Sequence, residues 1–386
     1  MIIKKVITPV GASIFENYMK QDKKDIDSLY EAITDKLSKE YNEKTKKIKM
    51  IKTILKNHYE NKLNINISAE IKTISKIHET LKEDLDVYLL ASDTLVSVVA
   101  AELIKEFLEE FNFKVFFRKD VDTVEGLQVL NKKDFIRSGL HNLIKRVEEI
   151  SEGYYKNVLF NISGGYKVTI PYLTVMAQIN SCDMYYIFEE HDELIKIPSV
   201  PIVIDDEIFS NHYNKFKELE KGIENFNEWK EKNYTFVNEV PSCIESDEEI
   251  AFLSPLGSIL WEKYKSNIVE FYTTDEVIIK VKKNFNLLVK LVKFLSEVDI
   301  RDSKTELKGS YHKHKIFDDG NNPYRIAYIE EDENMFVYAI FDNEEEQQRF
   351  LNDKNKSNKK EDYKFNTYLL DKKSQKIKDL NGKIII

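Results

Sequence analysis

The chain has 386 residues, 42% hydrophobic and 32% charged, which excludes a wholly disordered polypeptide and exceeds one ordinary domain. Lys and Arg (58) against Asp and Glu (67) leave a net charge of −9, which excludes a globally basic nucleic-acid coat. Two distant cysteines, Cys182 and Cys243, form neither a metal-ligand spacing nor a disulfide framework, and no apolar run nears the roughly 18 residues of a membrane span. A soluble, cytoplasmic protein with no membrane association and no metal site is expected.

In chain order, Ile2–Thr8 reads as a first strand, followed by a Lys/Glu-rich helical stretch from Asn17 to about Glu83. Val87–Leu90 reads as a buried strand running into a helix through Ala100–Glu110. Lys114–Phe117 is a strand, Phe135–Ile150 an amphipathic helix, Asn157–Ile162 a strand, and Met184–Glu189 another. Strands alternating with helices imply a parallel sheet covered on both faces, ending near Asp205. From 206 to 268 two short helices, a hairpin around the acidic turn Glu245–Glu249 and a helix over Pro255–Tyr264 suit a small winged-helix-like connector. The acidic turn argues against phosphate contact by that wing. Beyond it come a strand at Glu270–Thr273 and one long helix, Val277–Leu295. Three strands follow, Tyr311–Phe317, Tyr324–Glu330 and Met335–Phe341, then a helix from Glu344, which together predict an α+β domain over 269–351. Residues 352–386 open with a Lys/Asn/Ser-rich stretch that reads as a linker to a basic tail.

In a doubly wound sheet, ligands bind on the carboxyl edge of the strands. Gly11, Ala12 and Ser13, then Ser92, Asp93 and Thr94, then Gly164, Gly165, Tyr166 and Lys167 all follow predicted strands. Paired glycines let backbone N–H groups approach a phosphate, and Lys167 adds a full charge. Ser13, Ser92 and Thr94 serve equally as helix N-caps. Neither GxGxxG nor GxxxxGK[ST] is present, which counts against NAD and against an ATP-binding P-loop.

The run Asn161-Ile-Ser-Gly-Gly-Tyr-Lys-Val-Thr-Ile-Pro-Tyr-Leu-Thr174 resembles the signature of CARF domains, the CRISPR-associated Rossmann folds of type III effectors. Supporting residues include Ser68–Ile71, Leu90–Thr94, Gly126-Leu-Gln128, Gly139–Leu143, Ile187–Glu189 and Ile197–Pro201. The resemblance covers residues 1–205. It departs at Ala12, where the family more often has threonine. It implies a homodimer sharing one cyclic oligoadenylate, with cyclic tetra-adenylate favoured by analogy, bound by the loops above and by Gln128.

The HEPN ribonuclease mark, Arg followed a few residues later by His, is missing beyond residue 205. The segment 269–351 instead resembles the RelE family of mRNA interferases, through Leu307-Lys-Gly309, Tyr311-His-Lys-His-Lys-Ile316, Tyr324-Arg-Ile-Ala-Tyr328 and Phe336–Ile340. That resemblance places the family's strand lysines on Lys313 and Lys315 and its strand arginine on Arg325. It implies cleavage of mRNA in the ribosomal A site without a cofactor.

The residues suit such chemistry. Cleavage through a 2′-hydroxyl needs a base, an acid and positive charge on the phosphorane. Alternation puts Lys313 and Lys315 on one strand face with Tyr311, and neighbouring cations lower a lysine's pKa. His312 and His314 face the other way and become acid/base candidates if the register shifts by one. Arg349 stands in for an arginine the family carries after its last core strand. Between 269 and 351 there are 12 Lys and Arg against 17 Asp and Glu, which fits a substrate held by the ribosome. Two readings of the tail remain open. In one it docks on the ribosome or its stalk; in the other Asn366–Leu370 and Ile384–Ile386 are strands of the same domain. The rival to the whole reading is a ligand-controlled winged-helix transcription regulator with a degenerate carboxyl-terminal domain.

Overall fold

A computed structural model describes residues 3–21, 25–59, 65–188, 193–247, 249–320 and 322–386. Ile2, Glu189 and Glu248, which belong to the expected first strand, the Ile187–Glu189 motif and the acidic turn, lie outside the described residues. The chain divides into two compact units. The first holds residues up to Ile204 with Val240–Glu245 and Leu253–Leu260; the second holds Asp205–Glu239, Ser246–Phe252 and Trp261–Ile386.

The first unit is built on β1 (Lys4–Val10), β2 (Leu85–Ser92), β3 (Lys114–Phe116), β4 (Thr123–Val124), β5 (Val158–Asn161), β6 (Asp183–Ile187) and β7 (Leu194–Ile197). Their order is β3-β2-β1-β5-β6-β7, with β4 paired to the end of β2; only β7 runs antiparallel. The inner strands are near-continuous apolar runs because both faces are covered. Alternate residues divide between two cores. Val6, Leu89 and Leu159 face the helices Tyr41–Tyr59, Ala69–Leu81 and Leu95–Glu110. Ile7, Leu90 and Phe160 face Leu140–Ser151 and Ile170–Ile179. The strand order reverses between β1 and β5, which opens a crevice at their carboxyl ends.

The region expected as a two-helix connector instead carries four short helices, Asp206–Asn211, Tyr213–Lys221, Phe226–Lys232 and Tyr234–Glu239. The hairpin of β8 (Ile244–Asp247) and β9 (Ile250–Leu253) and the helix Pro255–Lys265 follow. In the second unit Trp261 is fully buried and stacks on Phe216 at 5.3 Å between centroids, with Phe209 and Tyr264 beside it.

The second unit's sheet contains β10 (Ile268–Thr273), β11 (Thr305–Lys308), β12 (His314–Phe317), β13 (Arg325–Glu331), β14 (Asn334–Phe341), β15 (Asn366–Asp371) and β16 (Lys376–Lys378). The order is β11-β12-β13-β14-β10-β15-β16, with β10 parallel to β14 and every other pair antiparallel. The supposed tail therefore supplies two strands, and its apolar tip is tied in where Ile377 and Ile386 exchange backbone hydrogen bonds. The stretch read as a linker is also fastened: Asn358 donates to the Lys313 carbonyl, and Lys360 pairs with Glu331.

The single long helix expected over Val277–Leu295 is two, Asp275–Lys283 and Phe285–Ser296. Asn284 sits between them in extended conformation (φ −137°, ψ 104°). Its side-chain oxygen caps the second helix through the Asn286 amide, and its amide donates to Asp342. These helices cover one sheet face through Leu287, Leu291 and Phe294. The other face, with Ile316, Ala327 and Tyr338, is covered by Phe350, Leu351, Tyr363 and Phe365.

One buried ion cluster joins helix to sheet. Lys290 (side chain 1% exposed) donates to Asp319 at 2.7 Å, and Lys293 donates to the other Asp319 oxygen at 2.9 Å. Burial pushes the Asp319 carboxyl up, but the two lysine hydrogen bonds outweigh it and bring its pKa down to about 2. Stability from this group is present above its unfolded value of 3.8 and is lost as pH falls toward 2, roughly 2 kcal/mol in all. Asp319→Ala leaves Lys290 buried without a counter-charge, a loss of about 3 kcal/mol. Urea unfolding at pH 7 and across pH 4–2 checks both; stability unchanged from pH 4 to 2 would refute the first, and equal stability of variant and parent at pH 7 would refute the second.

Candidate functional site

In the first unit the crevice between β1 and β5 is assembled by a carboxylate. Glu70, at the start of the helix Ala69–Leu81, is fully buried. It accepts hydrogen bonds from the Gly11 amide (2.9 Å) and the Ser13 hydroxyl (2.5 Å). Ser13 Oγ in turn accepts from the Ala69 amide at 3.2 Å, and Ser68 caps the helix through the Ile71 amide. A carboxylate in the first helical turn also meets the positive end of the helix dipole. Gly164 lies against the same group, since a Cβ there would stand 2.2 Å from Glu70 Oε1. Gly165 adopts φ +81°, and a Cβ on it would meet Pro9 Cβ at 2.6 Å, so only glycine fits without strain. Ser163 is fixed from both sides: Thr73 donates to its hydroxyl, which accepts from the Ile187 amide.

The two loops thus have different hydrogen-bonding character. The Gly11 amide and the Ser13 hydroxyl are turned inward onto Glu70. Among the described residues the amides of Gly164, Gly165 and Tyr166 have no intramolecular acceptor, and Lys167 beside them is exposed. Amides without an acceptor next to a cation make a nest of donors of the kind that suits an anion.

The remaining ligand-binding candidates gather at the end of β2. Ser92 and Thr94 hydroxyls lie 3.1 Å apart, and Thr94 caps the helix Leu95–Glu110. Asp93 accepts from the Ser38 hydroxyl and from the Gly126 amide. Gln128 is buried and exchanges hydrogen bonds with the Asn131 backbone. Asp93 and Gln128 line a polar cavity of about 550 Å³ that also meets Lys39, Lys119 and Asp120. Ala12 is half-buried and carries no side-chain polar group.

In the second unit the expected cationic face does not assemble. The strand starts at His314, so Lys313 precedes it; its ammonium donates to the Gly309 carbonyl. Tyr311 is also outside the strand, and exposed. Lys315 pairs with Glu330 at 2.9 Å, and that hydrogen bond raises its pKa, so it stands as a cation and not as a base. Arg325 lies three positions along β13 from Tyr328, the partner of Lys315. It is held by Asp318 at 2.6 Å and by the carbonyls of Asn322 and Tyr324.

His312 is half-buried, its ring 6.4 Å from that of His314. His314 is 1% exposed and shares a 2.8 Å hydrogen bond between Nδ1 and the Tyr338 hydroxyl. Burial, with His312 nearby, lowers its pKa and keeps the ring neutral. Arg349 is exposed and lies 3.6 Å from Glu345. It lines a second cavity, of about 310 Å³, with Tyr338, Phe350, Lys356 and Tyr363. Lys356 and Tyr363 were not expected at a site, because Lys356 falls in the stretch read as linker and Tyr363 in the basic tail beyond it; the signal in the sequence is the aromatic pair Tyr363 and Phe365 within a polar stretch.

Residues 65–200 match the family described as CRISPR-associated protein (Cas_APE2256). The match indicates a CRISPR-associated protein. The matched segment contains Glu70, β2 to β7, the Ser92–Thr94 loop and the Gly164–Lys167 nest. It supports a CRISPR-linked, antiviral role. No curated protein matches the chain. No helix among the described residues is long and apolar enough to cross a membrane.

Glu70→Ala removes the acceptor for two loop donors, and a loss of about 2 kcal/mol is expected. Glu70→Gln keeps one acceptor and loses less. Thermal unfolding of both variants checks the order; Glu70→Ala melting with the parent would contradict it.

Proposed function

We propose that the chain is an ancillary effector of type III CRISPR immunity, in which cyclic oligoadenylate controls a ribosome-dependent endoribonuclease. The carrying observation is the nest at Gly164–Lys167, beside the point where the strand order reverses, within a segment that matches a CRISPR-associated family. Phosphates of the ring lie on the amides of Gly164, Gly165 and Tyr166 with Lys167 as counter-charge. The polar cavity at Asp93 and Gln128 supplies acceptors and donors for base or ribose. A cyclic, twofold-symmetric ligand meets the same loops from each protomer, which makes the working species a homodimer. Cyclic tetra-adenylate is the favoured ring, and the protein works in the cytoplasm.

For the second unit, two helices followed by antiparallel strands with β10 parallel to β14 support the RelE-like reading. In this reading Arg325, Lys315 and Arg349 contribute positive charge, and His312 is the more accessible candidate for the general base. Acidic surroundings disfavour free RNA, so the ribosome presents the substrate.

The test uses translating ribosomes on a defined mRNA, incubated with the protein with or without cyclic tetra-adenylate or cyclic hexa-adenylate. New RNA ends within the A-site codon, dependent on the ring, are expected. Gly165→Val, which forces the nest apart, is expected to abolish the dependence. No cuts with either ring would overturn the reading.

A further inference from the structure

We propose that Glu70 is a built-in competitor of the anionic ligand: its charge keeps two donors from the ring and thereby sets the affinity of the first unit for cyclic oligoadenylate. The inference rests on the cyclic-oligoadenylate reading of this site and adds its regulation. Two loops that follow strands border the crevice. Only one of them, 164–166, keeps amides without an intramolecular acceptor among the described residues. The other loop has its donors taken. The Gly11 amide donates to one Glu70 oxygen at 2.9 Å, and the Ser13 hydroxyl donates to the other at 2.5 Å. Hydrogen bonds to an ionised acceptor are the strong ones, so a phosphate oxygen offers these two donors nothing that the carboxylate does not already give.

The carboxylate also acts at a distance. It lies against Gly164, the first residue of the nest, where a Cβ would stand 2.2 Å from Oε1. Among the described residues its hydrogen bonds go to neutral groups, so no cation cancels it. Lys167 is exposed and brings one positive charge to the nest, which Glu70 offsets with one negative charge. Like charges repel strongly across protein of low dielectric, so each phosphate that enters is opposed. Nor can the group swing aside. Glu70 is fully buried, and its helix, Ala69–Leu81, is tied to both loops. The Ala69 amide donates to Ser13 Oγ, and Thr73 donates to the Ser163 hydroxyl. A nest of amides with one cation, held back by a fixed carboxylate, binds a polyanion less tightly than its donors allow. The consequence is a threshold: the unit stays empty until the ring accumulates.

The experiment is calorimetric titration of the full chain with cyclic tetra-adenylate and with cyclic hexa-adenylate, in the parent, Glu70→Gln, Ser13→Ala and the double variant. Glu70→Gln removes the charge and releases one donor, so binding about tenfold tighter is expected even though the fold loses stability. Ser13→Ala is expected to leave the parent's affinity within about twofold, because that hydroxyl is committed to Glu70; in the Glu70→Gln chain it is expected to cancel part of the gain. A merely structural role for Glu70 predicts the opposite direction, weaker binding by Glu70→Gln. Binding by Glu70→Gln no tighter than the parent's, at a temperature where both are folded, would overturn the proposal. A loss of about fivefold or more in Ser13→Ala would also overturn it, and that arm needs no change at Glu70. No binding of either ring by the parent or by Glu70→Gln would refute the cyclic-oligoadenylate reading and this inference with it. Binding by the parent that Glu70→Gln fails to tighten would refute the inference alone.

Discussion

The carboxylate of Glu70 is the constraint on which the first unit's site depends. It is fully buried, and its hydrogen bonds go to the loop after β1 while its side chain lies against Gly164 after β5. A buried charge of this kind persists only when its acceptors are filled, so the two loops are held as a set. Glu70 takes the Gly11 amide and the Ser13 hydroxyl, while the amides of Gly164, Gly165 and Tyr166 have no intramolecular acceptor among the described residues. The departure at Ala12 is tolerable in this arrangement, because the neighbouring Ser13 already performs the loop's anchoring.

The second unit follows a different logic. Its sheet is closed by chain that is remote in sequence: Ile268 stands opposite Asp371, and Ile385 and Ile386 pack on the core. The same carboxyl-terminal segment covers the face on which His314 and Tyr338 sit. The groups that sequence motifs single out are consequently dispersed or paired. Lys315 belongs to Glu330 and Arg325 to Asp318, while His314 is sealed under aromatic rings. Tyr338, Phe350 and Tyr363 also line a cavity together with Thr274, the cap of the helix Asp275–Lys283, and with Glu276 and Lys280 within that helix.

Much of the first unit's sheet was legible because β2 and β5 are apolar runs buried on both faces, which have one reading in an alternating α/β pattern. The nest was legible from Gly164, Gly165 and Lys167. The Glu70 clasp was not, since it joins positions 59 residues apart and a lone glutamate on a helix carries no local mark. The split at Asn284 was hidden because apolar spacing continues through it. The paired-lysine face failed by the start of one strand: β12 begins at His314, so alternation does not apply to Lys313. Of the two readings of the tail, the one with Asn366–Leu370 as a strand is found, since Tyr368, Leu369 and Leu370 are buried in the sheet; Ile384–Ile386 packs on it without forming a strand.

The claim that joins these observations is that the amides of Gly164 to Tyr166 receive an anionic, cyclic ligand. Amide hydrogen exchange over residues 163–167, with and without cyclic tetra-adenylate, tests it most directly. Amides without an intramolecular acceptor exchange quickly, and phosphate contact slows them. The account predicts strong slowing in this loop on ligand addition, lost in Gly165→Val. Unchanged exchange here at saturating ring, with protection elsewhere on the chain, would contradict it.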